Sequence, residues 1–224
     1  MPEQTELAFD QAFSVLRQFT RARRESSRAG EHCELCSAGL GDQHPHLIEL
    51  ATRQILCACE ACALLFDGGI EGARYKRVSR NAQILAEFGM TDGQWESLLI
   101  PINLAFFFRS SVEGRMVALY PSPAGAVESL LPLEAWNEIA EDNPVLHDLR
   151  PDIEALLVNR VGHAHGMTQA EYYIAPIDEC FKLVGLIRSN WRGLSGGTEV
   201  WTEIGNFFSN LRSVAAPVKG GCNA

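Results

Sequence analysis

The sequence predicts an α+β protein made of an N-terminal helix, a small cysteine-rich module and a mixed domain of strands and helices. Three observations predict it. Phe9, Phe13 and Leu16 recur at helical spacing near the start. Five of the seven cysteines fall between positions 33 and 62. After residue 70, aromatic and β-forming runs alternate with amphipathic segments of helix length.

Residues 5–24 read as an amphipathic helix, because Ala12, Val15 and Phe19 widen the apolar stripe set by Phe9, Phe13 and Leu16. The polar, Gly-containing stretch 25–32 is expected to be a linker, so 1–32 forms one unit. The cysteine module takes 33–70, with its boundary at Gly68-Gly69. In the mixed domain, 71–216, residues 79–88 and 92–99 are expected to be short helices, the second capped by Thr91 or Asp92. Ile102–Arg109 and Met116–Tyr120 flank a polar Ser-Val-Glu-Gly turn and read as a hairpin. Pro121-Ser-Pro-Ala-Gly125 is expected to be a rigid loop. A helix over Leu133–Glu141 must stop before Asn143-Pro144, since proline disfavours helix in the residue before it. Residues 153–161 fit helix or strand, and Tyr172–Ala175 fits a short strand. Two helices follow, one with Cys180, Val184, Ile187 and Trp191 on a face, the other starting at Thr198 with Trp201, Ile204, Phe208 and Leu211 on a face. The tail, 217–224, is expected to be disordered.

At 224 residues and 46% hydrophobic content the chain can bury a real core. Its longest nearly unbroken apolar run, Leu98–Phe108, is far short of the roughly 20 residues that cross a bilayer. No membrane span is therefore expected. The N-terminus lacks a basic start followed by an apolar stretch, so a cytoplasmic location is expected. A net charge of −9 argues against binding to nucleic acid, whose phosphates need a basic face. Arg17, Arg21, Arg23, Arg24 and Arg28 form a local basic strip, opposed there only by Glu25. It reads as a solvated helix end or as a docking strip for an acidic protein partner.

The chemistry is concentrated in Cys33-Glu-Leu-Cys36, twenty-two residues, then Cys59-Glu-Ala-Cys62. In a reducing compartment such a cluster indicates a metal site rather than disulfides. Each Cys-x-x-Cys loop converges two sulfurs while backbone N–H groups point at the thiolates. Two loops supply four ligands, which suits tetrahedral Zn²⁺. Cys33, Cys36, Cys59 and Cys62 are the expected ligands. Between them, His46–Leu50 and Gln54–Cys57 look like strands around Ala51-Thr52-Arg53, and Ala63-Leu-Leu-Phe66 suits a helical turn. Knuckle, hairpin, then knuckle at a helix start resembles the treble-clef zinc-finger arrangement. A glycine often follows the second cysteine of a knuckle. Here Ser37 and Ala63 stand in those places.

Cys57, His44 and His46 are additional or substitute ligands. Positions 57 and 59 of an extended strand share a face, so Cys57 belongs near the metal even if it does not bind it. A spare thiol and imidazole there suit metal transfer or a redox response. Iron is the rival metal, as a rubredoxin-like centre or a cluster. The Gly and Pro usual in rubredoxin knuckles are missing directly after Cys36 and Cys62, and the Cys-x-His pairs of a Rieske centre are missing altogether.

Other constellations are weaker. Gly162-His-Ala-His-Gly166 reads as a surface turn or a two-imidazole chelate. Asp152, Glu154, Glu171, Asp178 and Glu179 are ordinary in an acidic chain. Ser195-Gly-Gly-Thr198 reads as a helix cap. Neither a phosphate loop, a nucleophile elbow nor a dinucleotide fingerprint is present. Catalysis is therefore not expected. The one low-ranked enzyme alternative lies at Asp178, Arg188 and Gly193–Gly197.

Taken together, Cys33–Phe66, Tyr120-Pro-Ser-Pro-Ala-Gly125, Pro151-Asp-Ile-Glu-Ala-Leu-Leu157 and Gly185-Leu-Ile-Arg-Ser-Asn-Trp-Arg-Gly193 with Gly196-Gly197 resemble an uncharacterised bacterial family. We associate that family with genes for [NiFe] hydrogenases. The resemblance implies an accessory or maturation role, with a hydrogenase subunit or maturation factor as protein partner. It supplies no activity to carry over.

Overall fold

The run Leu104-Ala-Phe-Phe-Phe is apolar at every position because both of its faces are buried. In the computed structural model, which describes residues 30–67, 73–162, 169–193 and 195–217, this run lies in the middle of the fold. The chain opens with β1 (His46–Glu49), β2 (Gln54–Cys57) and helix α1 (Glu60–Phe66). β3 (Tyr75–Arg77), from beyond the glycines at 68 and 69, pairs with β1 and completes a three-stranded sheet in the order β2-β1-β3.

A second sheet of seven strands follows. It comprises β4 (Gln83–Ile84), β5 (Leu104–Ser110), β6 (Arg115–Ser122), β7 (Gly125–Ser129), β8 (Glu154–Asn159), β9 (Glu171–Pro176) and β10 (Ala216–Pro217), in the order β10-β4-β9-β8-β5-β6-β7. All pairs are antiparallel except β10 with β4. Side chains alternate across this sheet. Leu104, Phe106, Phe108, Leu157 and Tyr173 face helices α4 (Ile177–Asn190) and α5 (Gly197–Val214). Ala105, Phe107, Leu156, Val158 and Tyr172 face α2 (Asp92–Ser97), α3 (Leu133–Asp142) and the 3₁₀ turn Pro144–Asp148. The result is three layers, helix–sheet–helix. No described helix is long and apolar enough to cross a membrane.

The mixed α+β class holds, and most expected elements form. The hairpin around Ser111–Gly114 is β5–β6, with Gly114 at φ +65 closing it. Thr91 caps α2 in a capping box with Gln94. The helix over Leu133–Asp142 ends at Asn143, whose buried side chain bonds Gly89 N, Gly89 O and Ile139 O. The segment that fitted helix or strand is the strand β8.

Four expectations need correction. Residues 79–88 are not a helix. Ala82 and Leu85 have helical spacing, but they bury on opposite faces of the sheet, with β4 between them paired to Tyr173 and Ile174. Pro121–Gly125 is not a separate loop: Pro121 and Ser122 end β6, Ser122 pairs with Gly125 at the start of β7, and Pro123-Ala124 form the tight turn. Helix α5 begins at Gly197 rather than Thr198. Its buried face is Val200, Ile204, Phe207, Phe208 and Leu211, while Trp201 is 47% exposed against Trp191. The expected helix 5–24 with its arginine strip, residues 25–29 of the linker, the Gly68-Gly69 boundary, His163 to Gly166 and the tail from 218 lie outside the described residues.

The approach to α5 depends on Gly196, at φ +86. A Cβ there would lie 2.8 Å from Val200 Cγ1 and 3.2 Å from the Trp191 ring. Gly196→Ala is expected to lower unfolding free energy by about 2 kcal/mol or more. Urea unfolding monitored by circular dichroism measures it.

Candidate metal centre

The first knuckle is built by backbone bonds that curl Cys33–Cys36 into a tight turn. Ser37 N donates to Cys33 O at 2.7 Å, and Cys33 N donates to Ala38 O at 2.8 Å. Turning the chain this sharply requires a left-handed residue directly after the second cysteine, and Ser37 takes that conformation at φ +62. The position that glycine favours in such loops is thus kept, with a serine in it. Glu34 ties the knuckle to β2: its N–H donates to Cys57 O at 2.9 Å, and its Oε2 accepts from Cys57 N at 2.6 Å.

The second knuckle is a helix start. Cys59 is the N-cap of α1, and its Sγ accepts from Cys62 N at 3.4 Å. Helix N-terminal amides are orphan donors with partial positive charge, so they suit a thiolate. The hairpin β1–β2 brings this helix start back to the first knuckle. One sulfur from each of Cys33, Cys36, Cys59 and Cys62 lies within 4.8 Å of the others. Cys36 Sγ and Cys59 Sγ are 3.6 Å apart. Sulfurs bound tetrahedrally at roughly 2.3 Å stand about 3.8 Å from one another, whereas a disulfide needs about 2.05 Å. Four cysteines this close can hold a metal ion.

The electrostatics agree with the chemistry of such a set. Burial raises the Cys33 thiol, but amides of Cys59, Cys36 and Leu35 outweigh it and bring its pKa down to about 6. Burial, then the thiols of Cys36, Cys59 and Cys33, push Cys62 up to about 12. Cys36 is also raised: the Ala38 amide lowers it, and the Cys33 and Cys59 sulfurs more than cancel that. The Cys33 proton leaves easily and those of Cys36 and Cys62 resist, because gathered thiolates repel. A bound dication removes that resistance.

Cys57 does not join the tetrad. It pairs directly across from His46 in the β1–β2 ladder and groups with His44 and His46, whose rings meet edge to face at 5.0 Å. Burial, followed by the charges of Glu34 and Glu31, holds the Cys57 thiol above its ordinary pKa. The hydrogen bond to Asp178, 2.6 Å from His46 Nδ1, raises the His46 pKa. Asp178 stood in the sequence as a scattered carboxylate and as part of the enzyme alternative, not as a partner of His46. It lies 132 residues from its partner, so no local pattern could pair them.

The remaining candidates stay apart. Asp178 and Arg188 occupy the two ends of α4, about 15 Å along its axis. Asp152 bonds Lys76 at 2.5 Å, Glu154 bonds Arg150, and Glu171 bonds Arg212. A cleft of about 1110 Å³ lies between β4, β9 and α5 and is lined by none of the cysteines.

Fold and site together define an α+β protein carrying a four-cysteine candidate metal centre near its N-terminus. The model of the family described as "Family of unknown function (DUF5947)" matches residues 32–215, and the chain belongs to that family. The match spans the cysteine module and strands β4 to β9 of the larger sheet. No curated protein and no solved structure matches the chain.

Ser37 carries a left-handed strain that glycine would not. Ser37→Gly is expected to stabilise the protein by about 1 kcal/mol. The shift in urea midpoint at unchanged denaturant slope checks it.

Proposed function

We propose that the chain is a zinc-binding accessory protein, in which a treble-clef-like module holds Zn²⁺ through Cys33, Cys36, Cys59 and Cys62 and presents a rigid surface to a protein partner. The observation that carries this reading is the four sulfurs gathered within 4.8 Å, one pair on a tight turn and one on a helix start. Zinc is preferred because a closed tetrahedral set of four thiolates suits an ion with no redox chemistry and a structural task. The module itself supports that task. Among the described residues its own buried cluster is Cys33, Leu47, Ala58, Cys62 and Ala63, too small to hold the segment by apolar burial alone. A hydrogenase subunit or maturation factor as the partner rests on the resemblance of the quoted stretches, with the Pro121–Gly125 turn and the arginine-rich N-terminal segment as contact surfaces.

Cysteine-bound iron in an electron carrier is the second reading, favoured by one observation: Cys36 is exposed, which shortens the path for an electron to a partner. Protein purified from its own host distinguishes the two readings. Zinc leaves it colourless, while ferric thiolate absorbs in the visible. Cys33→Ser and Cys62→Ser are each expected to abolish binding of the four-thiolate equivalent by elemental analysis. Chelation is expected to release amide protection over residues 33–66 before the seven-stranded sheet loses any. Retention of that four-thiolate equivalent in both variants refutes the site. Normal hydrogenase maturation after gene deletion refutes the partner.

A further inference from the structure

Strand β1 sends its side chains alternately to two places. Leu47 packs with the cysteine cluster, whereas Ile48 packs into the core under α4 and α5. His46 shares the face of Ile48, and Cys57 stands opposite His46 on β2. His44, two residues earlier, extends the same row. A second set of soft and borderline donors therefore lies at the seam between the cysteine module and the α4 layer, apart from the tetrad.

We infer that His44, His46 and Cys57 form a second transition-metal site, for a borderline divalent ion such as Zn²⁺, with Asp178 orienting His46 from α4. The Cys57 sulfur and one ring nitrogen of each histidine lie within 4.8 Å of one another. Each imidazole has its Nδ1 engaged from outside: Gly41 O is 2.9 Å from His44 Nδ1, and Asp178 Oδ2 is 2.6 Å from His46 Nδ1. A ring that donates through Nδ1–H keeps the Nε2 lone pair for a ligand bond, and a carboxylate behind a histidine is the usual support for metal ligation. His44 supplies the independent sign. Its side chain is only 8% exposed, and its Nε2 is buried with no hydrogen-bond partner. A buried polar nitrogen left unpaired costs free energy, and a metal bond at Nε2 removes that cost. Two imidazoles and one thiolate leave a coordination position for water, the pattern of an exchangeable zinc rather than a closed structural one. Because Asp178 starts α4 and the ligands sit on β1, β2 and the loop before β1, the ion clamps the module onto the three-layer domain.

The test loads the full-length protein with excess Zn²⁺ or Co²⁺, removes free ion and counts metal per chain. Two equivalents are expected. Cobalt titration is expected to show two waves, one with strong four-thiolate charge transfer and d–d bands, the other with about a quarter of that charge transfer and bands shifted to the blue. His44→Gln and Cys57→Ala are each expected to lose the weaker wave and retain the stronger. Asp178→Asn is expected to weaken the second equivalent about 10- to 100-fold. A wild type that binds one equivalent with a pure four-thiolate spectrum overturns this inference and needs no variant to fold. One equivalent with a single-thiolate spectrum supports it while refuting the tetrad.

Discussion

A strand four residues long has only two faces, and β1 must serve a different environment with each. Leu47 closes over the cysteines and Ile48 inserts under the helices of the main domain. A slip of one residue in the β1–β2 register would exchange the two faces and turn His46 and Cys57 away from Asp178. That register is fixed at the turn, where Arg53 takes a left-handed φ of +60 and donates its N–H to Glu49 O at 2.8 Å. The Arg53 side chain then reaches Glu113 and Glu128 across the gap to the seven-stranded sheet and covers the Phe108 ring. Lys76 on β3 makes a comparable reach to Asp152. The small sheet is therefore held against the large one by apolar contacts in its centre and by ion pairs at its margins. The family match from 32 to 215 covers the three-stranded sheet and all but the last strand of the larger one.

The two halves of the protein solve the burial problem differently. The seven-stranded sheet buries both faces, with Phe106, Phe107, Phe108, Leu156 and Leu157 all essentially inaccessible. Dispersion and transfer free energy suffice there. The module cannot follow that route, since its helix turns Leu64, Leu65 and Phe66 toward solvent. Its organisation comes from polar groups instead: amides pointed at sulfur, Glu34 bonded to the Cys57 amide, and thiols close enough to repel one another once ionised. Such a set resists full ionisation without a counter-charge. It has most to gain from a dication.

Local chemistry was legible wherever short spacing determined the structure. Cys-x-x-Cys at 33 and 59, a cap at Thr91 or Asp92 that proves to be Thr91, the Ser-Val-Glu-Gly turn and the Asn143-Pro144 stop all act within a turn of chain, and all formed. What escaped depended on neighbours distant in sequence. Ala82 and Leu85 carry a helical period that the edge of a sheet overrode. Trp201 reads as core, but the buried face of α5 runs through Val200, Ile204, Phe207, Phe208 and Leu211, while the Trp201 indole rests near Trp191 and donates to Ser195 O. The absence of glycine after Cys36 suggested an imperfect knuckle, yet the backbone needs only the left-handed angle and Ser37 supplies it. The Asp178–His46 contact had no signal at all in one sequence.

The grouping of Cys57 shows how much one strand residue decides. In an extended chain Cys57 and Cys59 share a face, and that reasoning placed both sulfurs at one ion. The chain leaves β2 at Cys57, and Cys59 has already become the cap of α1. Bending at Ala58, whose N–H is held by Pro45 O at 2.9 Å, rotates the later sulfur toward Cys33 and leaves the earlier one beside His46. Two donor sets are thus joined by a single buried alanine. Any shift of β2 that tightens one set must move the other, because Cys57 and Cys59 ride on the same short segment and Glu34 binds that segment to the first knuckle on both its N–H and C=O sides.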